Sequence, residues 1–384
     1  MKWTASILIF CVAVLIGMGM VMLYSSSMNM DLNKSAEVGA HYVLSQLMWC
    51  FFGLIGFVVA AGTDYRRLKK LSPWLLGFSV VLLILVFVPT IGIRLHGAHR
   101  WIGHPGLPHF QPSELAKLAL ILFLAAYGDR YQRQMAGFKR GLVIPCAVSA
   151  LVLALIFIEP DRGCTILLAA VCGVMLIVAG VRLSFLIPPA ALVLAGLAFS
   201  FLHDPMRMRR IMAWIHPEQN KEGAGYQAYQ AMIALGSGGW FGLGLGNGRQ
   251  KLGFVPEHHT DFIFSIIGEE LGLLATMAVV LLFITLVICG VIIARRSCDA
   301  FGLLLGTGLT FMIGLQAIIN IGVVTSMLPN KGMPLPFISY GGSNLVLMLV
   351  SVGLLVSISR YAMETVPQKK SSNPFEAMPD AAHA

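Results

Sequence analysis

Charged residues are scarce in this sequence. Asp, Glu, Lys and Arg make up only 12% of the 384 residues, whereas hydrophobic residues make up 57%. Soluble globular domains carry roughly 25% charged residues, so the composition excludes a soluble enzyme and indicates an integral membrane protein. The hydrophobic runs also lack the period-two alternation of barrel strands, which leaves helices as the means of satisfying the backbone in lipid.

The sequence also lacks a disulfide pattern, and we expect no cleavable leader. Its seven cysteines are scattered, mostly within hydrophobic runs, so we expect no disulfide framework. The first hydrophobic run, from Ala5 to about Tyr24, is longer than the apolar core of a signal peptide and ends without a small-x-small site. We expect it to be retained as the first helix.

About ten hydrophobic runs are long enough to cross a ~30 Å hydrocarbon layer as helices. They lie near residues 5–25, 43–62, 72–90, 112–127, 142–158, 164–181, 184–202, 262–293, 301–328 and 341–359. The predicted fold is therefore an all-α integral membrane bundle of about ten transmembrane helices. We assign one polytopic domain to residues 1–360, a long extracytoplasmic loop to 203–260, and a disordered cytoplasmic tail to 361–384.

Lys and Arg are concentrated in alternate loops. Arg66 and Lys69 follow the second predicted span, Arg133 and Arg140 the fourth, and Arg295 the eighth. The positive-inside rule therefore predicts that both termini are cytoplasmic. The net charge of +9 follows from this topology, and we expect no nucleic-acid partner.

Four polar stretches fall on the opposite, outer side, and the first is GAHRWIGHPGLPHFQPSELAK, residues 97–117. Ser113 is expected to cap the fourth span. Glu114 and Lys117 then lie three residues apart on one helix face. They are either a self-neutralising pair or part of a functional site, and the cost of charge at membrane depth favours the second interpretation.

The second polar stretch is EPDRGCT, residues 159–165, between the fifth and sixth spans. Two carboxylates and an arginine share this short turn. A purely structural turn would be served by Asn or Ser, so Glu159 and Asp161 are candidate functional residues.

The third polar stretch is the long loop, which begins with MRMRRIMAWIHPEQ. This basic, amphipathic segment is either a helix on lipid headgroups or a diphosphate site, for which Arg209 and Arg210 are the first candidates beside Arg207. The glycine-rich GSGGWFGLGLGNG that follows is expected to let backbone amides approach a ligand.

The fourth polar stretch is LPNKGMPLPFISYGGSN, residues 328–344. Its three prolines exclude a regular helix, and non-helical backbone at membrane depth is tolerated where it lines a cavity. The candidate substrate-binding residues here are Lys331, Ser339, Gly341, Gly342 and Ser343. Together the four stretches predict a cavity that opens outward.

Asp261 lies in PEHHTDFIF, where the long loop turns into the eighth span. Thr260 or Asp261 could cap that span, Glu257, His258, His259 and Asp261 could bind a metal, or Asp261 could be a general base made more basic by its apolar neighbours. Adjacent histidines point apart, so we expect no dedicated metal site. A loosely held Mg²⁺ or Mn²⁺ on a diphosphate remains open.

These stretches, in this order, resemble the motif blocks of the SEDS family of bacterial cell-wall proteins. The blocks are GAHRWI, QPSELAK, EPDRGCTILL, GAGYQAYQAMIALGSGG, PEHHTDFIFSIIGEELG and KGMPLPFISYGGSN. The resemblance runs from about residue 60 to 360 and is stronger to the FtsW-like division branch than to the RodA-like elongation branch. Arg162 and Cys164 stand where relatives carry an apolar residue and Thr.

The resemblance implies an enzyme of the bacterial inner membrane that polymerises lipid II into β-1,4-linked peptidoglycan strands on the outer face during division. It implies an inverting displacement with Asp261 as general base and undecaprenyl diphosphate as leaving group. Glu159, His259 and Thr260 would support the site. A class B penicillin-binding protein and other division proteins would be partners.

Two other functions share the same sequence features. A lipid II flippase would need charge deeper in the bundle, and Glu269 and Glu270, two helical turns beyond Asp261, are its best support. A non-catalytic division scaffold would tolerate the loss of Asp261.

Overall fold

The structure, a computed structural model, describes residues 1–27, 35–88, 92–95, 98–103, 109–216, 223–251 and 259–364. Its α-helices in these ranges are α1 (Lys2–Ser27), α2 (Ser35–Gly62), α3 (Leu68–Leu85), α4 (Pro112–Arg130), α5 (Ile144–Ile158), α6 (Arg162–Val178), α7 (Leu183–Leu202), α8 (Pro205–Ile215), α9 (Tyr226–Ser237), α10 (Ile263–Arg295), α11 (Ala300–Val324) and α12 (Gly342–Glu364).

Each predicted span corresponds to one of these helices, and the all-α multi-pass membrane fold is confirmed. Eight of the described helices are long and apolar enough to cross a membrane. The two remaining spans are α6, which has only 17 residues, and α4, which includes Glu114, Lys117, Asp129 and Arg130. Both of these spans begin in polar stretches, as α12 also does.

Helices α4, α11 and α12 are largely buried, and α7 lies at the periphery of the bundle. Large apolar side chains such as Phe51, Leu192 and Leu281 are exposed along the outer helices, as expected for surfaces that face lipid. Inside, α1 packs closely on the chain before α12, because a Cβ on Gly19 would come within 2.8 Å of the Ile338 backbone.

Helices α4, α6, α10 and α12 all begin at one end of the bundle, which we name the motif end because the four polar stretches lie there. A hairpin that the sequence did not predict is found at this end, with β1 (Gly92–Leu95) antiparallel to β2 (Ala98–Ile102). The long loop contains α8 and α9 rather than irregular chain.

The tail boundary also differs from the prediction. Helix α12 continues to Glu364, so residues 361–364 are helical rather than part of a disordered tail. Residues 365–384 lie outside the described ranges. The assignment of residues 1–360 to a single domain stays a prediction.

The glycine-rich segment packs against a break in α10. Gly272 interrupts the helix with φ 79° and ψ −173°. The freed carbonyls of Glu269 and Glu270 accept hydrogen bonds from the Leu243 and Gly244 amides at 2.9 and 3.0 Å. These two amides are therefore used by the fold and are not free to bind a ligand, whereas the expectation for the rest of the segment stays a prediction.

Replacing Gly272 with Ala should destabilise the protein. A Cβ there would lie 2.4 Å from the Gly242 nitrogen and 2.6 Å from the Trp240 carbonyl oxygen, at a positive φ. We expect a cost of about 1–3 kcal/mol, measured as a lower Tm of the detergent-solubilised protein. Gly77→Ala in α3 is the control, since a Cβ there meets nothing within 4 Å. Equal Tm values for both variants would contradict this packing.

Candidate active site

A cavity of about 1310 Å³ lies at the motif end, between the first turns of α4 and α6, the turn before α10 and the chain that leads into α12. The charged side chains that line it are Arg100, Glu114, Lys117, Asp161, Arg162, Arg210, Asp261 and Lys331. All four polar stretches contribute, as the sequence predicted. Cations outnumber carboxylates on this wall, so the cavity suits an anionic ligand.

Glu114 and Lys117 form a buried ion pair on the cavity wall. The Lys117 Nζ lies 2.9 Å from the Glu114 Oε2 and 3.1 Å from the Gln316 Oε1. The Asn344 side-chain amide donates to the same Glu114 oxygen at 2.9 Å. The pair is satisfied by its neighbours and also lines the cavity, and its role in substrate binding stays a prediction.

Asp161 begins α6 and also faces the cavity. Its Oδ1 accepts the Cys164 amide at 3.1 Å as the N-cap. The Gln111 side chain donates to its Oδ2 at 3.5 Å and to the Ser113 hydroxyl at 3.0 Å. Ser113 does not cap α4, which was a wrong prediction, because Pro112 holds the first helical position and Gln111 is the N-cap.

Glu159 is fully buried behind the cavity rather than in its lining. Neither carboxylate oxygen has a hydrogen-bond partner among the described residues. Burial and, to a lesser extent, the charge of Asp161 raise the pKa of this carboxyl to about 8 against the opposing effect of Arg100. The Arg100 guanidinium donates to the carbonyls of Glu159 and Pro160 at 3.2 and 2.7 Å, which places this cation on the cavity wall.

Asp261 lies in the turn directly before α10 and lines the cavity. Phe262 is the N-cap of α10 and makes no side-chain capping bond, so neither Thr260 nor Asp261 caps this helix. Phe262 and Phe264 are 1% and 3% exposed beneath the half-buried Asp261. The predicted placement of a carboxylate at an apolar border is therefore observed.

Asn320 of α11 holds this turn against the chain before α12. Its amide donates to the Asp261 carbonyl at 2.8 Å and to the Met333 carbonyl at 2.6 Å. A Cβ on Gly332 would come within 2.6 Å of the Asp261 Oδ2, so the carboxylate packs directly on that glycine. Asn320 thus holds the backbone of Asp261, and Gly332 packs against its carboxylate.

Sequence reasoning missed Gln316 and Asn320. Both amides are buried, with exposed fractions of 0% and 1%, and both hold the chain before α12. Gln316 donates to the Pro334 carbonyl at 3.0 Å. The signal was available: two amides four residues apart in a long apolar span lie on one helix face.

Two candidates from the polar stretches support the site without lining it. The Ser339 hydroxyl is buried and accepts the Leu335 amide at 2.8 Å. The His259 carbonyl accepts the Tyr340 amide at 3.0 Å, and its ring lies 5.0 Å from the Tyr42 ring. Gly341, Gly342, Ser343, Lys331 and Thr260 do line the cavity.

The structure separates the two candidate arginines of α8. Both are exposed, but Arg210 lines the cavity and Arg209 does not. The side chain of Arg207 lies outside the described part of the structure, as do Glu257 and His258. Within the described residues, no group of three His, Cys, Asp or Glu side chains could hold a metal ion.

Glu269 and Glu270 do not lie deeper in the bundle, which corrects the prediction made for them. Glu270 accepts hydrogen bonds from the Ser25 hydroxyl at 2.5 Å and the Lys251 ammonium at 2.7 Å, and Ser25 is near the motif end of α1. Glu269 accepts the Arg249 amide at 2.7 Å. The prediction assumed one continuous helix running inward from Asp261, whereas α10 is interrupted at Gly272, directly after the turn that carries these residues.

Most of the chain matches a family of known proteins. The model of the cell cycle protein family that comprises FtsW, RodA and SpoVE matches residues 5–364. A probable peptidoglycan glycosyltransferase FtsW of Trichlorobacter lovleyi is 39% identical over 353 residues, which cover 92% of each chain. The stage V sporulation protein E of Bacillus subtilis is 36% identical over 93% of this chain and 97% of its own.

Solved structures show the same fold. One is a chain of a peptidoglycan synthase complex described as coordinating polymerisation and crosslinking, with a TM-score of 0.73, 27% identity, and coverage of 92% of this chain and 97% of that one. Another is the rod shape determining protein RodA of Thermus thermophilus, with a TM-score of 0.65, 27% identity, and coverage of 92% and 95%.

Glu159→Gln should make the protein more stable in alkaline solution. With its pKa raised to about 8, folded Glu159 keeps a proton that the unfolded carboxyl has lost, so the stability of the native protein falls as the pH rises from about 4 to about 8. Glutamine removes this loss. We expect the variant to have the higher Tm near pH ~8.5 and the difference to shrink toward pH ~5. An identical pH dependence of Tm in both proteins would contradict the assignment.

Proposed function

The chain belongs to the cell cycle protein family of FtsW, RodA and SpoVE, and we propose that it is the peptidoglycan glycosyltransferase of cell division, polymerising lipid II into glycan strands. The observation that carries the proposal is the position of Asp261 on the wall of a cavity in which cationic side chains outnumber carboxylates. The similarity of the chain to relatives named peptidoglycan glycosyltransferase FtsW supports this activity and a place in the division branch.

The proposed reaction is one in-line displacement. Asp261 takes the proton of the acceptor 4-hydroxyl as that oxygen attacks the anomeric carbon of the donor. The bond from that carbon to the diphosphate oxygen breaks, and undecaprenyl diphosphate leaves with the electron pair. One displacement inverts the α-linked donor to a β-1,4 link, so a single general base is sufficient.

The leaving diphosphate needs positive charge where its own charge develops. Arg210 and Lys331 are the proposed partners, because both line the same cavity as Asp261. Lys117 is already paired with Glu114, so we assign it to holding the cavity wall. A loosely bound Mg²⁺ or Mn²⁺ on the diphosphate is compatible with this arrangement.

The proposed orientation has the motif end outside the bacterial inner membrane and both termini in the cytoplasm. Basic side chains such as Arg66, Arg130, Arg140 and Arg295 lie at the opposite end, in agreement with the positive-inside rule. The lipid tails of both substrates would remain in the bilayer while their heads meet in the cavity.

The similarity to a synthase complex that couples polymerisation and crosslinking supports a class B penicillin-binding protein as partner, together with other division proteins.

The flippase alternative loses its main support in this structure. Glu269 and Glu270 hold the chain at the motif end instead of marking a route through the bundle. A RodA-like elongation polymerase would use the same cavity, and the relatives named FtsW favour the division role.

Removing the carboxylate of Asp261 should abolish polymerisation. We expect Asp261→Asn to lower the rate by about 10²–10⁴-fold, the usual contribution of a general base. The measurement is glycan-ladder formation by the purified protein with its transpeptidase partner and lipid II. Glycan polymer made at the normal rate by folded Asp261→Asn protein would refute the assignment of Asp261 as the base.

Arg210 and Arg209 form a matched pair of variants. Only Arg210 lines the cavity, so Arg210→Ala should lower the polymerisation rate about tenfold or more, the loss of one charge-stabilising contact. Arg209→Ala has the same change of net charge and should leave the rate within about twofold. Equal losses in the two variants would indicate a general effect of the basic helix instead of a diphosphate contact.

A further inference from the structure

A second buried ion pair lies at the motif end, outside the cavity lining. The Lys251 Nζ is 2.7 Å from the Glu270 Oε1, and both side chains are fully buried. The Lys251 Nζ also lies 3.1 Å from the Ser25 carbonyl oxygen, which accepts from it. The Ser25 hydroxyl donates to the second Glu270 oxygen at 2.5 Å. The ion pair therefore joins α1, α10 and the end of the glycine-rich segment.

Backbone amides complete this network. The Gly246 amide donates to the Glu270 Oε2 at 3.2 Å. The Arg249 and Gln250 amides donate to the Glu269 Oε1 at 2.7 and 3.1 Å. Residues 246–251 form neither helix nor strand, so these two carboxylates take the place of a regular backbone ladder.

Stability alone is a poor explanation for the pair. Two charges moved out of water lose hydration that their attraction barely repays, and apolar side chains of similar size are often as stabilising. The best-attested use of such a buried polar contact is to specify one register. Such specification matters most in an irregular segment, because no helix or sheet fixes the register of that segment.

The pair also closes a loop around the proposed base. Asp261 follows Lys251 by ten residues and precedes Glu270 by nine. Pinning Lys251 to Glu270 therefore restricts the chain that contains Asp261, since closing a loop removes conformational freedom from the residues within it. The hydrogen bond from Asn320 to the Asp261 carbonyl then completes the placement of Asp261.

We propose that the Lys251–Glu270–Ser25 network is a positioning device for Asp261, and that Lys251 and Glu270 are positioning residues for glycosyl transfer. The proposal rests on the proposed function and adds the means by which the base is aligned. Neither residue lines the cavity, so their loss should alter the alignment of Asp261 more than the binding of lipid II.

The test is the double variant Lys251→Met with Glu270→Leu, which replaces the ion pair with apolar side chains of similar size. We expect its Tm to stay close to that of the wild type, its kcat for glycan polymerisation to fall about 10–100-fold, and its KM for lipid II to change less than about threefold, because a displacement of about 1 Å can cost 10²-fold. Lys251→Met alone leaves a buried charge without its partner and should lower Tm as well.

The control is Tyr65→Phe, which removes a buried hydrogen bond to Asp299 remote from the cavity. It should leave kcat unchanged whatever its effect on Tm. A double variant that folds and keeps the wild-type kcat would overturn the proposal. A wild-type protein that forms no polymer would instead count against the proposed function.

A second measurement does not depend on activity. Amide hydrogen exchange at His259–Phe262 should be faster in the double variant, and exchange in α4 should not change. If the double variant does not fold, Ser25→Ala is measured in the same way, since it keeps the ion pair and the Ser25 carbonyl contact and loses the hydroxyl that donates to Glu270. Unchanged exchange at His259–Phe262 in the folded variant would show that the network does not position Asp261.

Discussion

Charge at the edge of a hydrocarbon layer is costly unless the protein satisfies it, and the motif end is arranged around that cost. Glu114 pairs with Lys117 on the cavity wall, and Glu270 pairs with Lys251 behind it. Each pair is completed by neutral groups, Gln316 and Asn344 for the first and the α1 terminus for the second. The first pair lies on the wall of the cavity, which also carries Arg100, Asp161, Arg162, Arg210, Asp261 and Lys331.

Non-helical chain at this depth must also have its backbone groups satisfied. Strand β2 and helix α11 supply the partners through guanidinium and amide side chains. Arg100 binds the carbonyls that precede α6, Asn320 joins the turn before α10 to the chain before α12, and Gln316 binds that same chain at Pro334. These hydrogen bonds hold the turns that line the cavity, and the position of Asp261 depends on them.

Hydrophobic runs were sufficient to predict the spans, because lipid allows few other structures. The meeting of the polar stretches followed from alternating topology. Two kinds of feature could not be predicted. The depth of Glu269 and Glu270 depended on a helix break at Gly272, which a regular 100° step cannot anticipate. Arg209 and Arg210 are adjacent and chemically identical, so only the orientation of α8 decides which of them reaches the cavity.

The central claim is that Asp261 activates the acceptor hydroxyl inside this cavity. A cryo-EM structure of the Asp261→Asn protein, with its transpeptidase partner and lipid II bound, tests it most directly. The account predicts the acceptor 4-hydroxyl within about 3.2 Å of the side chain at position 261, with the donor diphosphate beside Arg210 and Lys331. An acceptor sugar bound outside the cavity, or one whose 4-hydroxyl faces Asp161 instead, would contradict it.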